Sequence, residues 1–341
     1  MDMLPSTEQT EIVTASAAFL RDRMPVTSTR ERFEMTPAYE PAAWAEAGEL
    51  GWFCLGLPEA QGGLGAGLAD EALLFREIGR GLAPGPFIST VLAARVAAFG
   101  GRPDLAEAIA AGRPVGLVVA DTDSPITAEG HLHGALQLLD GDDGLVLLAT
   151  ATTAVLIDVA DLTDVTTVPC TDPIVRLRRA TANNVTPVVS VDVSVDPIEL
   201  RGHVLAASML AGVIEAARDT AVEYAKVRIQ FDKPIGVHQA IKHPCAQMAI
   251  QAQLAGAQSL FAALAIDEGR PDAEFQSLSA HVTAAEAAES AASAALQIHG
   301  GMGFTYEHDC QLFVKRTLVL SQLFGGIRPQ LTRLLALPAA S

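Results

Sequence analysis

The chain has 341 residues, 50% of them hydrophobic, which is enough for several packed layers and excludes a disordered protein. Its formal net charge of −17 argues against a nucleic-acid partner, because phosphate binding draws on clustered Lys and Arg. The four cysteines, at positions 54, 170, 245 and 310, form no CxxC pair, so we predict no disulfide framework and no metal site. With no secretory signal and no uncharged apolar run of membrane-spanning length, the sequence predicts a cytoplasmic protein that does not bind membranes.

Residues 1–113 predict an N-terminal helical bundle, because Glu, Arg and Ala alternate with apolar residues at spacings of three and four. Ser6 or Thr7 can cap the first helix, and Thr36 precedes the second. A Gly- and Pro-rich break, GWFCLGLPEAQGGLGAG, separates these helices from one predicted at Leu68–Arg80.

Residues 114–197 predict a small middle β domain. Five short runs, GLVVA, GLVLLAT, AVLIDVA, VTTVPC and PVVSVDV, are separated by Gly, Asp, Asn and Pro. Runs of this length with such punctuation are typical of a small antiparallel barrel or sandwich.

Residues 198–341 predict a C-terminal four-helix bundle, which makes the whole chain an α+β multidomain protein. The helices are predicted at Val204–Arg228, Gln239–Asp267, Glu274–Gln297 and Arg328–Leu337. Pro244 lies near the start of the second pattern, where it should kink or delay the helix.

Two motifs lie in this C-terminal region. The first is RIQFDKPIGVHQAIKH, residues 228–243, and the second is QIHGGMGF, residues 297–304, followed by Tyr306, His308, Lys315 and Arg316. The glycines of the second motif could simply end a helix and form a turn. In order and spacing, however, RxxFxKPIGxxQAIxH followed by QIHGGxGFxxEHxxxxxxxR resembles the C-terminal domain of the acyl-CoA dehydrogenase family, and the stretch from PEAQGGLG to EIGRGLAPGPF resembles its N-terminal domain.

The resemblance implies FAD bound across a dimer interface and oxidation of the Cα–Cβ bond of an acyl-CoA thioester. In the family, one subunit holds the flavin ring and the other reaches over to the adenosine and pyrophosphate. The arginine of this reaching set pairs with the pyrophosphate, the phenylalanine packs on the adenosine, the glutamines hydrogen-bond to it, and the glycines let the backbone pass close to the phosphates. The matching cofactor-binding positions here are Arg228, Phe231, Gln239, Gln297, Gly300 and Gly301. Individually, each could instead be an ordinary surface or core residue.

The general base that the family uses is a glutamate, and both of its family positions hold glycine here. In most members it lies in an aromatic-Glu-Gly-Thr run, which matches QLFGGI and places Gly325 at the glutamate. In a minority it lies near the start of the helix that leads to RxxF, which matches Gly202. Glu199, one helical turn earlier, and His203 are the neighbouring candidates for a substitute base.

Two middle-domain stretches that meet the flavin ring in the family are also missing. Instead of TEPxAGSD the chain has LVVADTDSPI, and instead of Trp or Tyr followed by Thr or Ser and Asn-Gly it has LLDGDDGLVLLAT. The resemblance therefore implies that this chain has lost both its own ring pocket and its own base, with no catalytic residue of its own.

A half-site is useful only to a related partner that keeps the ring pocket and the glutamate. Short degenerate chains pair with complete ones in the α2β2 acyl-CoA dehydrogenases of actinobacterial sterol catabolism, which this chain resembles. We therefore expect a non-catalytic subunit that shares FAD with a homologous catalytic subunit. The acyl-CoA, sterol-derived by analogy, would bind mainly in the partner's site, and an electron-transfer flavoprotein or similar acceptor would take the electrons.

Two alternatives remain open at this stage. One is a self-sufficient flavoenzyme, either a dehydrogenase that uses Glu199 or His203 or a monooxygenase relative that needs no such base. The other is a flavin-free scaffold or binding protein with the same fold.

Overall fold

The computed structural model describes residues 4–120, 125–127, 129–142 and 144–338. The N-terminal region is helical, as predicted. Ser6 caps the first helix, since its hydroxyl accepts from the Gln9 backbone N–H while the Gln9 side chain accepts from the Ser6 N–H. The prediction of a helix at Leu68–Arg80 is confirmed to the residue. The helices are α1 (Thr7–Arg23), α2 (Val26–Glu31), α3 (Pro41–Glu49), α4 (Leu68–Arg80), α5 (Phe87–Phe99) and α6 (Pro103–Ala110).

Seven strands follow and form one sheet in the order β5-β6-β2-β1-β3-β4-β7. They are β1 (Gly116–Ala120), β2 (Leu132–Leu139), β3 (Leu145–Ala149), β4 (Thr153–Asp158), β5 (Thr163–Val168), β6 (Leu177–Val185) and β7 (Val189–Asp192). The sheet departs from the predicted antiparallel pattern at one pair, because β1 and β3 run parallel. After β2 the chain crosses to the other edge of β1, so β3 enters in the same direction as β1.

One face of the sheet carries a core of its own. Val155 and Ile157 of β4 belong to the same buried cluster as Ala180 and Ala182 of β6, and residues of the three strands between them complete this cluster. The other face of the sheet joins the large core formed with the helices.

The C-terminal region is a helical bundle around one long helix. Its elements are α7 (Ile198–Val227), the hairpin of β8 (Ile229–Gln230) and β9 (Lys233–Pro234), α8 (Gln239–Asp267), α9 (Ala273–His299), α10 (Cys310–Leu320) and α11 (Ile327–Ala336). Helix α7 packs against α4, α8 and α9. The sequence reasoning missed α10. Pro244 does not delay α8, which begins at Gln239. Proline has no N–H to donate to the carbonyl four residues earlier, but here that carbonyl belongs to the exposed Ala240, so no buried group is left unpaired.

Helices α7 and α8 are long and apolar enough to cross a membrane by length and composition alone. The core helix of a soluble protein passes the same test, and 78% of the apolar window of α7 is buried in the bundle. In α8 only 44% of the window is buried, so this helix leaves much of its apolar surface uncovered.

A buried ion network joins the N-terminal helices to the bundle. Asp196, between β7 and α7, accepts from Nε of Arg95 on α5 and from Nε of Arg201 on α7, each at 2.6 Å. Nη1 of Arg95 also donates to the Gly56 carbonyl at 2.5 Å, and Arg95 and Asp196 are both nearly fully buried. Because every charge in this network is paired, the network fixes where the regions meet without leaving an isolated buried ion.

We predict that Arg95→Met lowers the free energy of unfolding by about 3–5 kcal/mol, because it removes one of the two partners of a buried carboxylate and leaves a buried carbonyl unpaired. Urea unfolding followed by circular dichroism measures the loss. Arg102→Met is the matched control, since Arg102 pairs with Asp104 on the exposed surface, and it should leave the midpoint unchanged within error. Equal midpoints for the two variants would contradict the assigned role of Arg95.

Candidate functional site

The six predicted cofactor-binding residues all lie at one end of the bundle. Helices α7, α8 and α9 follow one another antiparallel, so the end of α7, the start of α8 and the end of α9 share that end. Tyr224 near the end of α7 stacks on His299 at the end of α9, with ring centroids 4.3 Å apart. Residues separated by about seventy positions in the chain are thereby brought to one surface, which we call the distal surface: residues 226–243 and 297–306.

The side chains of the first motif are free to reach a ligand. Arg228 is exposed, and its guanidinium makes no hydrogen bond or ion pair within the part of the chain that the structure describes. Phe231 is 87% exposed at the tip of the β8–β9 hairpin. Phe231 and Asp232 have φ of 53° and 62°, a left-handed conformation that is rare for a bulky aromatic residue. Such a strained and exposed ring points to a function outside this chain's own core.

In the second motif the backbone itself is accessible to a ligand. Gly300 has φ of 59° where α9 ends, and a Cβ added at Gly300 or Gly301 would meet no atom within 4 Å. Gln297 lies exposed in the last turn of α9, and Gln239 is the exposed first residue of α8. No side chain caps the start of α8, so its first backbone N–H groups and the positive end of its dipole face the distal surface.

His299, His308 and Cys310 form a compact cluster beneath this surface, with donor atoms within 4.8 Å of one another. Because it contains a single cysteine, this cluster leaves no CxxC pair in the sequence. His299 Nδ1 lies 2.8 Å from the Ala295 carbonyl, and the Cys310 N–H donates to His308 Nδ1 at 3.2 Å. Burial, aided by Asp309, raises the pKa of Cys310 to about 12. The observed hydrogen bonds explain the cluster as a support for the glycine turn.

At the opposite end of the bundle, Gly202 meets the loop that carries Gly325, so the two family positions of the base lie in the same region. Gly202 lies in the second turn of α7, and the ring of Phe324 packs directly on it. A Cβ added at Gly202 would lie 2.7 Å from Cε1 and Cε2 of that ring and closer still to Cζ. Phe324 has φ of 56°, and Gly325 and Gly326 follow with φ of 96° and 76°, so three successive left-handed residues turn the ring inward. The aromatic ring fills the space at Gly202, and Gly325 contributes only backbone.

Neither substitute base is free to act. Glu199 Oε2 accepts from Nη1 of Arg333 at 2.6 Å, and Arg333 also pairs with Glu274. Burial raises the pKa of Glu199 and the Arg333 ion pair opposes this shift. His203 is fully buried, with its Nδ1 2.9 Å from Nδ1 of His281, and burial holds its pKa well below the ordinary value. Both side chains serve the packing between helices.

The two ends of the bundle are too far apart to serve one cofactor within one chain. Gly202 and Val227 are separated by 25 residues of one continuous helix, roughly 38 Å at 1.5 Å per residue. The distal surface and the Gly202–Phe324 contact therefore belong to different sites.

A cavity of about 60 Å³ lies between the sheet and the helices, lined by Phe87, Met209, Leu139, Asp140, Arg316 and Leu320 among others. Pockets that bury organic ligands measure roughly 300–1,000 Å³, so a three-ring flavin does not fit here. Arg316 is held by Asp172 at 2.7 Å and by the Ala83 carbonyl, while its Nη2 has no partner among the described residues. Of the two divergent middle-domain stretches, residues 121–124 and residue 143 lie outside the described residues.

Sequence comparison agrees with this architecture. Family models for the acyl-CoA dehydrogenase N-terminal and C-terminal domains match residues 6–106 and 201–334. Acyl-CoA dehydrogenase IpdE2 of Mycobacterium tuberculosis is 30% identical over 97% of this chain and 98% of its own length. The chain belongs to the acyl-CoA dehydrogenase family.

Three further proteins are similar to the chain. Acyl-CoA dehydrogenase FadE34 of Mycobacterium tuberculosis is 34% identical over 89% of this chain, and the match spans only 43% of FadE34. The ChsE4-ChsE5 complex from Mycobacterium tuberculosis has a TM-score of 0.85 at 21% identity, covering 99% of this chain and all of that one. The Tcur3481-Tcur3483 steroid acyl-CoA dehydrogenase, a G363A variant, has a TM-score of 0.83 at 23% identity and covers 96% of both chains. At these identities the two structures show the acyl-CoA dehydrogenase fold.

Sequence reasoning missed several residues that shape this fold. His281 gives no signal in an alanine-rich helix, and Asp140 and Asp172 lie in polar loops that read as turns. Phe324 could have been noticed, since an aromatic residue before two glycines marks a turn with a side chain to bury.

The buried carboxyl group of Asp140 gives a pH prediction. Burial raises its pKa from 3.8 to about 7, opposed by a backbone hydrogen bond from Arg176 and by Arg316. Between pH 3.8 and about pH 7 this carboxyl group is protonated in the folded protein but ionised in the unfolded chain. The free energy of unfolding therefore falls as the pH rises through this range. We expect the free energy of unfolding of Asp140→Asn, relative to that of the wild type, to rise by up to about 1.4 kcal/mol for each pH unit across this range.

Urea unfolding at about pH 5 and about pH 7 tests this prediction, with asparagine suited to the left-handed φ of 50° at this position. Buried His281, whose pKa burial lowers to about 4, has the opposite pH dependence, but it is common to both proteins and cancels. A constant difference between variant and wild type at the two pH values would contradict the raised pKa.

The contact between Gly202 and Phe324 gives a second prediction for this dehydrogenase fold. Gly202→Ala should lower the free energy of unfolding by about 1–3 kcal/mol, because the new methyl group overlaps the Phe324 ring. Gly256→Ala is the matched control: this glycine of α8 has no atom near the added Cβ, so alanine should stabilise by about 0.5–1 kcal/mol. In a double-mutant cycle, Phe324→Ala should remove most of the penalty at Gly202, and strict additivity would refute the contact.

Proposed function

We propose that this chain is the non-catalytic subunit of a heteromeric FAD-dependent acyl-CoA dehydrogenase and supplies the adenosine and pyrophosphate half-site to a catalytic partner. One observation carries the proposal: the free ligand-binding side chains lie on the distal surface, while Phe324 fills the space at Gly202, roughly 38 Å away. A chain built this way can hold one end of a cofactor but has no base at the other.

The distal surface suits a dinucleotide. The exposed guanidinium of Arg228 can pair with a pyrophosphate through two parallel hydrogen bonds. The uncapped start of α8 favours an anion, and the open glycines 300 and 301 let a phosphate approach the backbone. Phe231 offers a flat apolar face to an adenine, and the amides of Gln239 and Gln297 can hydrogen-bond to its edge or to the ribose.

The remaining chemistry is assigned to the partner. A bound FAD would supply a hydride acceptor for the β carbon of the thioester, and a carboxylate of the partner would take the α proton. This chain's Gly202 and Gly325 carry no proton acceptor, and the 60 Å³ cavity between its sheet and helices is too small for the flavin ring. The acyl-CoA accordingly binds mainly in the partner's site, and an electron-transfer flavoprotein or similar acceptor takes up the electrons.

Exposed apolar side chains on and beside the distal surface support a protein partner. They are more than half exposed and include Val227, Ile229, Phe304, Tyr306, Ile250 and Leu254. Contiguous apolar surface of this kind marks an interface. We propose a homologous dehydrogenase chain as the occupant, in an α2β2 assembly in the cytoplasm. The similarity to the Tcur3481-Tcur3483 steroid dehydrogenase favours a sterol-derived acyl-CoA.

The test is co-expression with the catalytic partner, followed by purification of the complex and measurement of FAD per complex by absorbance. Arg228→Ala should weaken FAD binding at least about tenfold, because a charge-assisted hydrogen-bond pair to phosphate contributes about 1.5–3 kcal/mol. The chain purified alone should be colourless and inactive with acyl-CoA.

Arg179→Ala is the control, since Arg179 is an exposed arginine of the middle sheet, far from the distal surface in the chain, and its loss should leave FAD content unchanged. Stoichiometric FAD and turnover from this chain alone would favour a self-sufficient flavoenzyme. A complex that contains no FAD would favour a scaffold role, and unchanged FAD in Arg228→Ala would refute the half-site.

A further inference from the structure

Two histidines and a cysteine lie together around the turn of the second motif. His299 ends α9, His308 lies in the loop that follows the turn, and Cys310 is the first residue of α10. One donor atom from each side chain lies within 4.8 Å of the other two. Their hydrogen bonds support the turn, but imidazole nitrogen and cysteine sulfur are also the atoms that bind zinc in proteins.

Two of these donors already have a separation that suits a shared ion. Nδ1 of His299 lies 3.3 Å from Sγ of Cys310. Zinc bonds of about 2.0–2.1 Å to nitrogen and about 2.3 Å to sulfur place tetrahedral nitrogen and sulfur ligands roughly 3.5 Å apart. Since a donor of His308 lies within 4.8 Å of the others, it needs to approach by up to about 1 Å to complete the set.

His308 is the side chain that can make this approach. It is half-buried and lies outside the helices, where its Nδ1 accepts a hydrogen bond of 3.2 Å from the Cys310 N–H. Its ring already contacts that of His299, with centroids 4.4 Å apart. Met302 and Phe304, in the turn between the two histidines, are at least half exposed, so an ion can enter from the distal surface.

We propose that His299, His308 and Cys310 bind one zinc ion, with a water molecule as its fourth ligand. The neighbouring carboxylate of Asp309 is paired with Arg30 and is not counted among the ligands. Nitrogen and sulfur donors favour zinc over magnesium and calcium, which prefer oxygen. This assignment departs from the sequence prediction of no metal site, since ligands gathered around a turn with one cysteine leave no CxxC pair.

Binding changes the protonation of the ligands in a defined way. A zinc–sulfur bond replaces the S–H bond of Cys310, whose proton passes to the solvent, and each histidine binds as a neutral ring. The ring proton of His299 then lies on Nε2, so Nδ1 no longer donates to the Ala295 carbonyl. That carbonyl lies within α9, where the backbone N–H four residues later can pair with it.

The ion would join the end of α9 to the start of α10 and hold the glycine turn between them. The zinc site does not require FAD, and the experiments below measure metal binding alone. Their outcome is therefore independent of whether the proposed half-site is correct.

The test uses the full chain, reduced and stripped of metal with EDTA, and Co²⁺ as a spectroscopic probe for zinc. One equivalent of Co²⁺ should give a near-ultraviolet charge-transfer band, which reports a cobalt–thiolate bond, and zinc should displace it. Competition with a chromogenic chelator measures the zinc affinity. Cys310→Ser should abolish the band and weaken zinc binding at least about a hundredfold, because one of three protein ligands is lost.

Matched variants control for the other cysteines and histidines. Cys245→Ser removes a half-buried thiol of α8, and His133→Ala removes an exposed imidazole of β2. Both should leave the band and the zinc affinity unchanged. Should Cys310→Ser not fold, His308→Gln retains the buried thiol and should weaken zinc binding at least about tenfold.

Three results would overturn the assignment. They are the absence of stoichiometric zinc binding, bound Co²⁺ without the thiolate band, and a band or affinity that survives both Cys310→Ser and His308→Gln. The second result would show that the ion binds to surface histidines and not to this cluster.

Discussion

The structure depends on a few buried charges that join its three regions. Asp196 lies between Arg95 and Arg201, and Asp172 of the middle region binds Arg316 of α10, which also donates to the Ala83 carbonyl before α5. Apolar packing is non-directional and would tolerate small slips of one layer on another. Hydrogen-bonded ion pairs at 2.6–2.7 Å do not, since a slip would leave a buried charge unpaired. The register between the sheet and the bundle is thereby fixed.

That register gives the bundle two chemically different ends. At the distal surface the helices stop with open backbone, an arginine that has no partner among the described residues and an exposed phenylalanine, so the surface is suited to binding. At the other end the α10–α11 loop folds back and fills the space beside α7 with a side chain. The end at which we propose cofactor binding is thus open, whereas a side chain fills the end that holds the two family positions of the base.

Much of the fold could be predicted from the sequence, and the elements and contacts that were missed were missed for physical reasons. Helix α4 ends at glycines, and α8 and α9 are long apolar repeats, so their patterns are local and readable. Strands β2 and β6 were missed because they contain Gly, Gln, Arg and Asn, and only pairing with β1 and with each other makes them strands. The distal residues could be singled out because they belong to motifs, and their contact with a cofactor stays a prediction. The His203–His281 pair and the Phe324–Gly202 contact join residues some 80 and 120 positions apart, which no local pattern reveals.

The packing of Phe324 on Gly202 also bears on the history of the chain. A glutamate restored at position 202 by a single mutation would collide with the phenylalanine ring, and removal of the ring alone would leave a hole in the core. Either first step towards a working base is destabilising, and only both together are compatible. The two positions are therefore energetically coupled, and a carboxylate could be placed at position 202 without loss of stability only if Phe324 changed as well.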